Sequence, residues 1–226
     1  MCGRFATTGD LDFYADYYAI DEVATESIDK SWNVAPTEET YVVAEHDGKR
    51  RLGKMAWGLI PYWADDARTI HINARLETVA EKPAFKRALA RNRCLIPADG
   101  FYEWEPKEKG RTPHWVYRAD GHPMTFAGLW SAWRDPATDE WVRRFTIITT
   151  EAEGVISRIH DRMPVALPQD VWDVWLDRDL DDVETVLSLV RPIDPDLIME
   201  HPVSSRVNSV RNNGPDLVER FEESLF

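Results

Sequence analysis

The chain begins with Met1-Cys2-Gly3-Arg4-Phe5, and the cysteine at its second position offers the most distinctive chemistry. Small second residues allow the initiator methionine to be trimmed, so we expect Met1 to be removed and Cys2 to carry a free α-amino group. The resulting 1,2-aminothiol can condense with an aldehyde through its amine and then close a five-membered ring through its thiol. It can equally serve as an acyl-transfer nucleophile whose own amine acts as base. The local sequence does not separate these two chemistries.

Three further polar residues could act beside Cys2, and each also has an ordinary structural explanation. Glu103 lies in the aromatic stretch 100–104, where a solvated strand residue is the alternative to a proton donor. His160 follows a short predicted helix, where it can cap the helix terminus instead of catalysing. Asn73 can be a turn residue. Taken singly, none of them defines a function.

The cations and the second thiol are equally ambiguous. Arg4 and Arg75 can be ordinary surface cations. Cys94 lies in an apolar stretch, so we predict a buried, inert thiol. The two cysteines form no C-x-x-C pair, which argues against a disulfide framework or a thiolate zinc site.

Aromatic residues and histidines bear on ligands. Trp57 lies within a predicted strand and is expected in the core, whereas three other tryptophans could stack on nucleobases, at about 1–3 kcal/mol per base: Trp32, Trp63 and Trp104. Three histidines lack partners at metal-ligand spacing: His71, His114 and His201. We therefore predict no metal site and no cofactor.

Composition and charge limit the possible partners. The 226 residues fit one domain, and the formal charge of -13 argues at first against a polyanionic partner. The charge is unevenly distributed, however, with nine basic and five acidic residues at 81–118 but two basic and ten acidic residues at 165–200. The first half can therefore still present a basic face. Without a leader or an apolar run of membrane-spanning length, we expect a cytoplasmic protein.

The hydrophobic pattern predicts short strands in the middle of the chain and helices towards its end. A hairpin turn is expected at Asp47-Gly48 and an irregular loop at 31–36, and a return to the sheet is expected at 201–203 and Val207. The predicted strands are 40–46, 51–59, 94–96, 100–104, 115–118, 124–130 and 141–149. The predicted helices are 11–20, 83–90, 151–159, 168–176, 180–190 and 215–226. The order predicts an α+β fold with a curved, mostly antiparallel, barrel-like sheet flanked by helices.

A series of short motifs is far more specific than any single residue. It comprises 1–5, 33–36, 57–61, 73–78, 94–97, 100–104, 126–130, 146–150 and 160–164, in that order. This series resembles the SRAP family, the abasic-site processing proteins associated with the SOS response. The resemblance extends from Cys2 to at least Asn208.

The resemblance implies a single SRAP domain over 2–226 that binds single-stranded DNA. In that family the N-terminal cysteine captures the ring-opened aldehyde of an abasic site as a thiazolidine, which shields the lesion. By motif, Cys2 is the nucleophile, Asn73 orients the opened sugar, and Glu103 is the acid-base residue. His160 would assist ring opening and crosslink reversal, and Thr149 matches a threonine of the family's site.

DNA contacts are expected around this site. Arg4 and Arg75 would hold phosphates on either side of the lesion, with Arg162 a further candidate. Three residues could wedge or stack where the base is missing: Pro36, Trp63 and Trp104. Such contacts would favour single strands over intact duplex.

Three other functions fit parts of the sequence. An N-terminal-nucleophile hydrolase of the glutamine amidotransferase kind would also begin with cysteine and glycine. An autopeptidase that removes Met1 is compatible with aldehyde capture, because the cut exposes the same amine. A single-strand binding module in which Cys2 is incidental is the non-enzymatic alternative. We expect a monomer that acts at the nucleoid and makes no membrane contact.

Overall fold

The computed structural model describes residues 2–191 and 193–221, and within them the chain forms thirteen strands and four α-helices. The strands are β1 (Arg4–Thr7), β2 (Glu22–Val23), β3 (Ser31–Val34), β4 (Glu39–His46), β5 (Lys49–Trp57), β6 (Asn73–Arg75), β7 (Arg93–Ala98), β8 (Gly100–Pro106), β9 (Arg111–Arg118), β10 (Met124–Arg134), β11 (Trp141–Glu151), β12 (Arg162–Pro164) and β13 (Ile198–Pro202). The α-helices are α1 (Leu11–Tyr17), α2 (Pro83–Arg91), α3 (Trp172–Leu176) and α4 (Val183–Leu189). Short 3₁₀ helices occupy Gly154–Arg158, Gln169–Val171, Pro195–Leu197, Ser205–Asn208 and Pro215–Val218.

The strands form two sheets, one of which closes on itself. The first sheet has the order β13-β9-β8-β1-β3, with antiparallel neighbours throughout. The second has the order β12-β11-β10-β7-β4-β5-β2, and β6 pairs with β11. A parallel pairing of β11 with β5 closes β5, β4, β7, β10 and β11 into a ring. The predicted α+β fold with a mostly antiparallel, barrel-like core is confirmed.

The closed sheet is buried on both faces, which explains why its strands lack strict alternation. In β4, Tyr41 and Val43 pack against the helices, whereas Val42 points into the barrel with Trp57. The hairpin from β4 to β5 turns at Asp47 and Gly48, whose φ angles are 52° and 70°. Left-handed backbone at both central residues suits the twist of a two-residue hairpin, as the sequence predicts.

Helices cover one side of the barrel. In α1 the Asp10 side chain accepts the Phe13 N–H, and the helix buries Tyr14. Directly after α1, Tyr18 packs against Trp172 of α3, with ring centroids 4.8 Å apart and ring planes tilted by 31°. The hydroxyl of Tyr18 bonds to Thr125 of β10 at 3.0 Å. Within the described residues no helix combines the length and apolar character that a membrane span requires.

Two segments in the first and last thirds differ from the sequence-based predictions. Ser31–Val34 forms β3 instead of a loop, because Val34 pairs with Phe5 of β1, and only Pro36 lies in the following turn. The helix predicted at 151–159 is shorter than expected, since β11 continues to Glu151 and only Gly154–Arg158 is helical, as a 3₁₀ helix. Gly154 has φ +57°, a left-handed conformation that separates the strand from the 3₁₀ turn.

The C-terminal predictions need a larger correction. Val207 does not return to the sheet but lies in the 3₁₀ helix Ser205–Asn208, where the Ser204 side chain accepts the Arg206 N–H. The helix predicted at 215–226 is limited to Pro215–Val218, because the chain then extends to pair Arg220 with Val203. Residues 222–226 of that predicted helix lie outside the described residues.

Gly100 provides a test of how tightly β8 and β9 are packed. A Cβ atom there would lie 2.3 Å from the Val116 carbonyl oxygen and 2.7 Å from the Trp115 ring. Because backbone cannot yield without disturbing the sheet, we expect Gly100→Ala to destabilise the fold by about 1–3 kcal/mol. A Cβ at Gly53 meets nothing within 4 Å, so Gly53→Ala should be neutral or stabilise by about 0.5–1 kcal/mol. Urea unfolding of both variants measures the difference, and equal midpoints would refute this packing argument.

Candidate active site

Cys2 lies buried at the inner face of the fold, immediately before β1. It is 0% exposed and belongs to the apolar cluster that fills the barrel, with Phe5, Trp57 and Phe126 among its members. Its position follows from β1, which is held between β3 and β8 in the first sheet. The segment that follows Cys2 is therefore held by sheet hydrogen bonds on both sides.

Asn73 is the residue that the second sheet brings to Cys2. Its Nδ2 donates a hydrogen bond of 2.9 Å to the Cys2 carbonyl oxygen. Asn73 lies in β6, which runs parallel to β11 with Asn73 opposite Ile147. The Asn73 Oδ1 atom is buried and has no hydrogen-bond partner among the described residues. The amide is thus oriented by one end and offers an acceptor at the other.

Glu103 is a buried carboxyl group, which excludes the alternative of a solvated strand residue. It lies in β8 opposite His114 of β9, and only 4% of its side chain is exposed. Burial raises the pKa of Glu103 above its ordinary value, because an ionised carboxylate loses its hydration there. The carboxyl group therefore holds a proton to higher pH than a surface glutamate.

His160 faces Glu103 from the turn before β12. Its Nε2 atom lies 4.0 Å from Glu103 Oε1, and its side chain is 23% exposed. His160 Nδ1 accepts the Arg162 backbone N–H at 2.9 Å. Because a backbone N–H can only donate, this bond assigns the proton of the neutral ring to Nε2, on the side of Glu103. A carboxylate oxygen of the exposed Asp161 lies 2.8 Å from Nδ1.

The thiol of Cys2 is held in its neutral form. Burial raises the pKa of the Cys2 thiol well above its usual range, and the neighbouring Glu103 carboxylate raises it further. The sulfur lies 4.0 Å from the Arg4 carbonyl oxygen, an acceptor for the S–H group. A thiol in this state is a poor starting nucleophile, which favours reaction through an amine before the sulfur. Burial also raises the pKa of Cys94, as predicted for an inert core thiol.

Arg4 is half-buried and anchored from one side. Its Nη1 donates to Asn33 Oδ1 at 2.8 Å and to the Val207 carbonyl oxygen at 3.0 Å. Asn33 is itself fixed by its Nδ2, which donates at 3.4 Å to Val207, at 3.0 Å to Ser209 and at 2.9 Å to Asn212. The guanidinium thus has a set direction, which a phosphate contact requires.

Arg162 occupies an internal position that the sequence does not suggest. It is 8% exposed, and its two Nη atoms donate to the two carboxylate oxygens of Glu77 at 2.7 and 2.9 Å. A third bond of 2.7 Å reaches the carbonyl oxygen of Thr149, which is 0% exposed. The bond from Arg162 lowers the pKa of Glu77. This arrangement joins β12, β11 and the segment after β6, so Arg162 would have to leave Glu77 to meet a phosphate.

The remaining predicted DNA contacts lie on several elements at or near the surface. Arg75 is exposed at the end of β6, and Trp63 is 55% exposed. Pro36 is half-buried in a turn that is fixed by a bond of 2.9 Å from the Ala35 N–H to Glu38. The Trp104 ring is oriented by a bond of 2.7 Å from its Nε1 to Asn208. Their contacts with DNA remain predictions.

Sequence reasoning assigned no role to three residues that orient this site. Asn33, Glu77 and Asn208 hold Arg4, Arg162 and Trp104 respectively. Asn33 and Glu77 lie within the matched motifs, but their partners are 29 and 85 residues away in the chain. Local sequence carries no signal for such contacts. Among the described residues, no group of three or more His, Cys, Asp or Glu side chains has a metal-binding arrangement.

Sequence comparisons give a consistent set of relatives. The profile of a family described as SOS response associated peptidase (SRAP) matches residues 1–210. The abasic site processing protein YoqW of Bacillus subtilis is 39% identical over 223 residues, which span 97% of this chain and 99% of that protein. YedK of Escherichia coli, also named an abasic site processing protein, is 30% identical over 97% of this chain and 99% of its own length. The abasic site processing protein HMCES of Xenopus tropicalis is 34% identical over 74% of this chain and 57% of its own length.

Solved structures share the fold. A protein from Bacteroides thetaiotaomicron superposes with a TM-score of 0.86 at 25% identity, covering 98% of this chain and 100% of that one. A phage-related protein from Bordetella bronchiseptica gives a TM-score of 0.73 at 28% identity, covering 89% and 94% respectively.

The raised pKa of Glu103 predicts a pH-dependent gain in stability for Glu103→Gln. Below the unfolded-state pKa of about 4.3, the carboxyl group is protonated in both the folded and the unfolded state, so it does not lower the stability of the wild type. Between the unfolded-state and the folded-state pKa, the unfolded chain releases a proton that the buried carboxyl group keeps. This destabilises the wild type by about 1.4 kcal/mol per pKa unit of elevation, whereas glutamine stays neutral. The advantage in melting temperature should therefore grow as the pH rises above about 4.3 and become constant once the pH exceeds the folded-state pKa.

Glu105→Gln is the matched control in the same strand. A hydrogen bond from Lys107 lowers the pKa of Glu105, so its ionised form is favoured in the folded state. Its replacement should bring no gain as the pH rises. Equal gains for both variants, or a pH-independent gain for Glu103→Gln, would refute the assignment of a destabilising buried carboxyl.

Proposed function

The chain belongs to the SRAP family, and on that premise we propose that it processes abasic sites in single-stranded DNA by capturing the ring-opened aldehyde on Cys2 as a thiazolidine. The observation that carries the proposal is the group of side chains around a buried Cys2. Asn73 donates to its carbonyl oxygen, Glu103 raises the pKa of its thiol, and His160 faces Glu103. The names of the relatives, abasic site processing proteins, point to the same lesion. Met1 must be removed, because an amide nitrogen cannot condense with an aldehyde.

The first bond in this mechanism joins the Cys2 amine to C1′ of the opened sugar. An α-amino group has a pKa of about 7.7–8.0, so a useful fraction is neutral and nucleophilic near neutral pH. The addition gives a carbinolamine, whose hydroxyl must leave as water. Glu103, protonated because burial raises its pKa, supplies the proton. The unpaired Oδ1 of Asn73 can accept a bond from a sugar hydroxyl and so orient the substrate.

The second bond joins the Cys2 sulfur to the imine carbon. Once Glu103 has released its proton, its carboxylate can accept the proton of the Cys2 thiol, and the sulfur then adds to the iminium ion. The nitrogen keeps one hydrogen, and the five-membered ring closes. Overall, one aldehyde and one aminothiol give one thiazolidine and one water. The ring resists hydrolysis because opening it leaves amine and thiol beside the same electrophile.

His160 is assigned the proton transfers of sugar ring opening and of crosslink reversal. Its Nε2 proton points to the Glu103 side, which suits a donor to the sugar oxygen or to the leaving thiazolidine nitrogen. A His160→Gln protein that released DNA at the normal rate would remove this role. The exposed His122, replaced in the same way, is the control.

DNA would be held by cations and rings at the edge of this site. Arg4, whose direction Asn33 fixes, and the exposed Arg75 are the proposed phosphate contacts. Three residues are proposed to occupy the space of the missing base or to stack on its neighbours, which favours single strands: Pro36, Trp63 and Trp104. Thr149 and Arg162 would act mainly by holding β12 beside the site. We further propose that one domain, 2–226, acts as a monomer at the nucleoid.

The rival reading is hydrolysis by a Cys2 thiolate, in a peptidase or an amidotransferase. A thiolate nucleophile needs a lowered pKa, whereas burial raises the pKa of the Cys2 thiol. The family description does include the word peptidase, and removal of Met1 is compatible with aldehyde capture. Release of glutamate from glutamine by the Met1-free protein is the measurement that would favour the rival.

Covalent capture is tested by incubating the Met1-free protein with a single strand that carries one abasic site. We expect a heat-stable adduct on a denaturing gel, its loss in Cys2→Ala, and its retention in Cys94→Ala, the matched change at the other buried cysteine. Cys2→Ala should still bind the strand, because the proposed phosphate contacts remain. An adduct of undiminished yield in Cys2→Ala, or none in the wild type, would refute the proposal.

The pH dependence of adduct formation tests the role of Glu103. The reaction needs a neutral amine and a protonated carboxyl group, so the wild-type rate should pass through a maximum and fall at alkaline pH. Glu103→Gln removes the titrating acid, and its lower rate should rise through the amine pKa of about 7.7–8.0 to a plateau. The measurement is the initial rate of adduct formation at constant ionic strength. A wild-type profile without an alkaline decline, or an unchanged profile in the variant, would exclude Glu103 as the acid.

A further inference from the structure

Two large aromatic side chains are exposed in one region of the surface. Tyr62 is 52% exposed, and Trp141 is 64% exposed. Scattered exposed rings need no explanation, but these two line a common hollow of about 300 Å³ together with Arg87. The hollow has room for one nucleobase. We refer to Tyr62, Arg87 and Trp141 as the aromatic shelf.

The backbone that carries Tyr62 is fixed at three points. Ser131 donates to the Ile60 carbonyl oxygen, and Trp133 Nε1 donates to the Ala64 carbonyl oxygen at 2.7 Å. Arg144 Nη1 reaches the Gly58 carbonyl oxygen at 3.4 Å. The loop between β5 and β6 is thereby attached to β10 and β11 on both sides of Tyr62. A ring that is already positioned loses little conformational entropy when a ligand stacks on it.

The charge around the shelf favours an anionic ligand. The Arg87 guanidinium lies over the Tyr62 ring, 4.5 Å from its centroid. Arg87 belongs to α2, a helix of nine residues that has no acidic residue and whose other cations are the exposed Lys86 and Arg91, which pairs with Asp181. Exposed rings beside an exposed cation are suited to the bases and phosphates of a single strand, whereas an apolar protein partner would not need the cation.

The shelf is connected to the proposed site through short stretches of chain. Leu59 pairs with His71, two residues before Asn73. The chain path from Asn73 to Tyr62 therefore spans at most about 25 Å. The His71 ring also contacts Phe85 of α2 at a centroid distance of 5.2 Å. The helix that carries Arg87 is thereby packed against the segment that leads to Asn73. A strand bound at Cys2 can reach the shelf within a few nucleotides.

We propose that the aromatic shelf is a second binding site for single-stranded nucleic acid, which holds an undamaged nucleotide a few positions away from the abasic sugar. Base stacking on Tyr62 or Trp141 is tolerant of base identity, and Arg87 binds the adjoining phosphate. The shelf then selects lesions that lie in a sufficiently long single strand. The inference rests on the proposed function, because it places the flank of the same substrate.

The test compares two oligonucleotides that carry one abasic site, with about ten and about two nucleotides on each side, respectively. Cys2→Ala is the background for binding by fluorescence anisotropy, and the Met1-free protein is the background for adduct rates. On the long strand, Tyr62→Ala and Trp141→Ala should each weaken binding by about tenfold, and the short strand should be unaffected. Arg87→Gln should weaken long-strand binding and reduce the slope of log affinity against log salt by about 0.7.

Phe13→Ala is the matched control, because Phe13 is an aromatic residue of α1 that is 43% exposed and lies outside the shelf. It should leave the affinities for both strands unchanged.

Long-strand affinity unchanged in all three shelf variants would overturn the inference, as would an equal loss on both strands. If Tyr62→Ala or Trp141→Ala instead abolishes a wild-type dimer in sedimentation and leaves DNA affinity intact, the shelf is a self-association surface and the inference is wrong.

Failure of the inference is distinguishable from failure of the proposed function. An undamaged long strand measures the shelf without any lesion chemistry. A wild type that forms no adduct but loses undamaged-strand affinity in the shelf variants would refute covalent capture and retain the shelf. Normal adduct formation with no dependence on flank length would retain covalent capture and refute the shelf as a binding site.

Discussion

The burial of Cys2 beside Glu103 is the interaction on which the rest of the site depends. A thiol and a carboxyl group in an apolar interior each favour their neutral forms, and the Glu103 carboxylate makes ionisation of the Cys2 thiol still less favourable. Burial of the first residues of a chain is uncommon, because chain ends usually fray. Here β1 lies between two strands of a sheet, so hydrogen bonds on both sides maintain the arrangement.

The closed sheet supplies the remaining groups from distant parts of the chain. Asn73 reaches Cys2 because β6 pairs with β11, and Glu103 reaches it because β8 pairs with β1. The Arg162–Glu77 pair then fixes β12 beside β11, next to the turn that carries His160. Removing Glu77 would leave the buried Arg162 guanidinium without its carboxylate partner, so its loss would disturb the site without touching any reacting atom.

Much of the fold could be read from the sequence, because its signals were local. The Asp47-Gly48 turn follows from residues that accept left-handed backbone, and α2 follows from Pro83 at its first turn and an apolar face. Val207 was misplaced because its role is set by bonds from Arg4 and Asn33, more than 170 residues away. Arg162 resembles a surface cation in sequence, and only the three-dimensional fold brings Glu77 to it. Local patterns therefore locate elements and motif residues, whereas the contacts that orient those residues are long-range.

The same electrostatics give the proposed reaction an order. A free thiolate would compete with the amine for the aldehyde and form a hemithioacetal, which is not an intermediate of the proposed reaction. Burial and the neighbouring carboxyl group keep the sulfur protonated. Only after Glu103 has given its proton to the departing hydroxyl is there a base beside the sulfur that can accept the thiol proton. Imine formation therefore creates the group that activates the second nucleophile. One buried carboxyl group can in this way act first as acid and then as base, and the amine must react before the thiol.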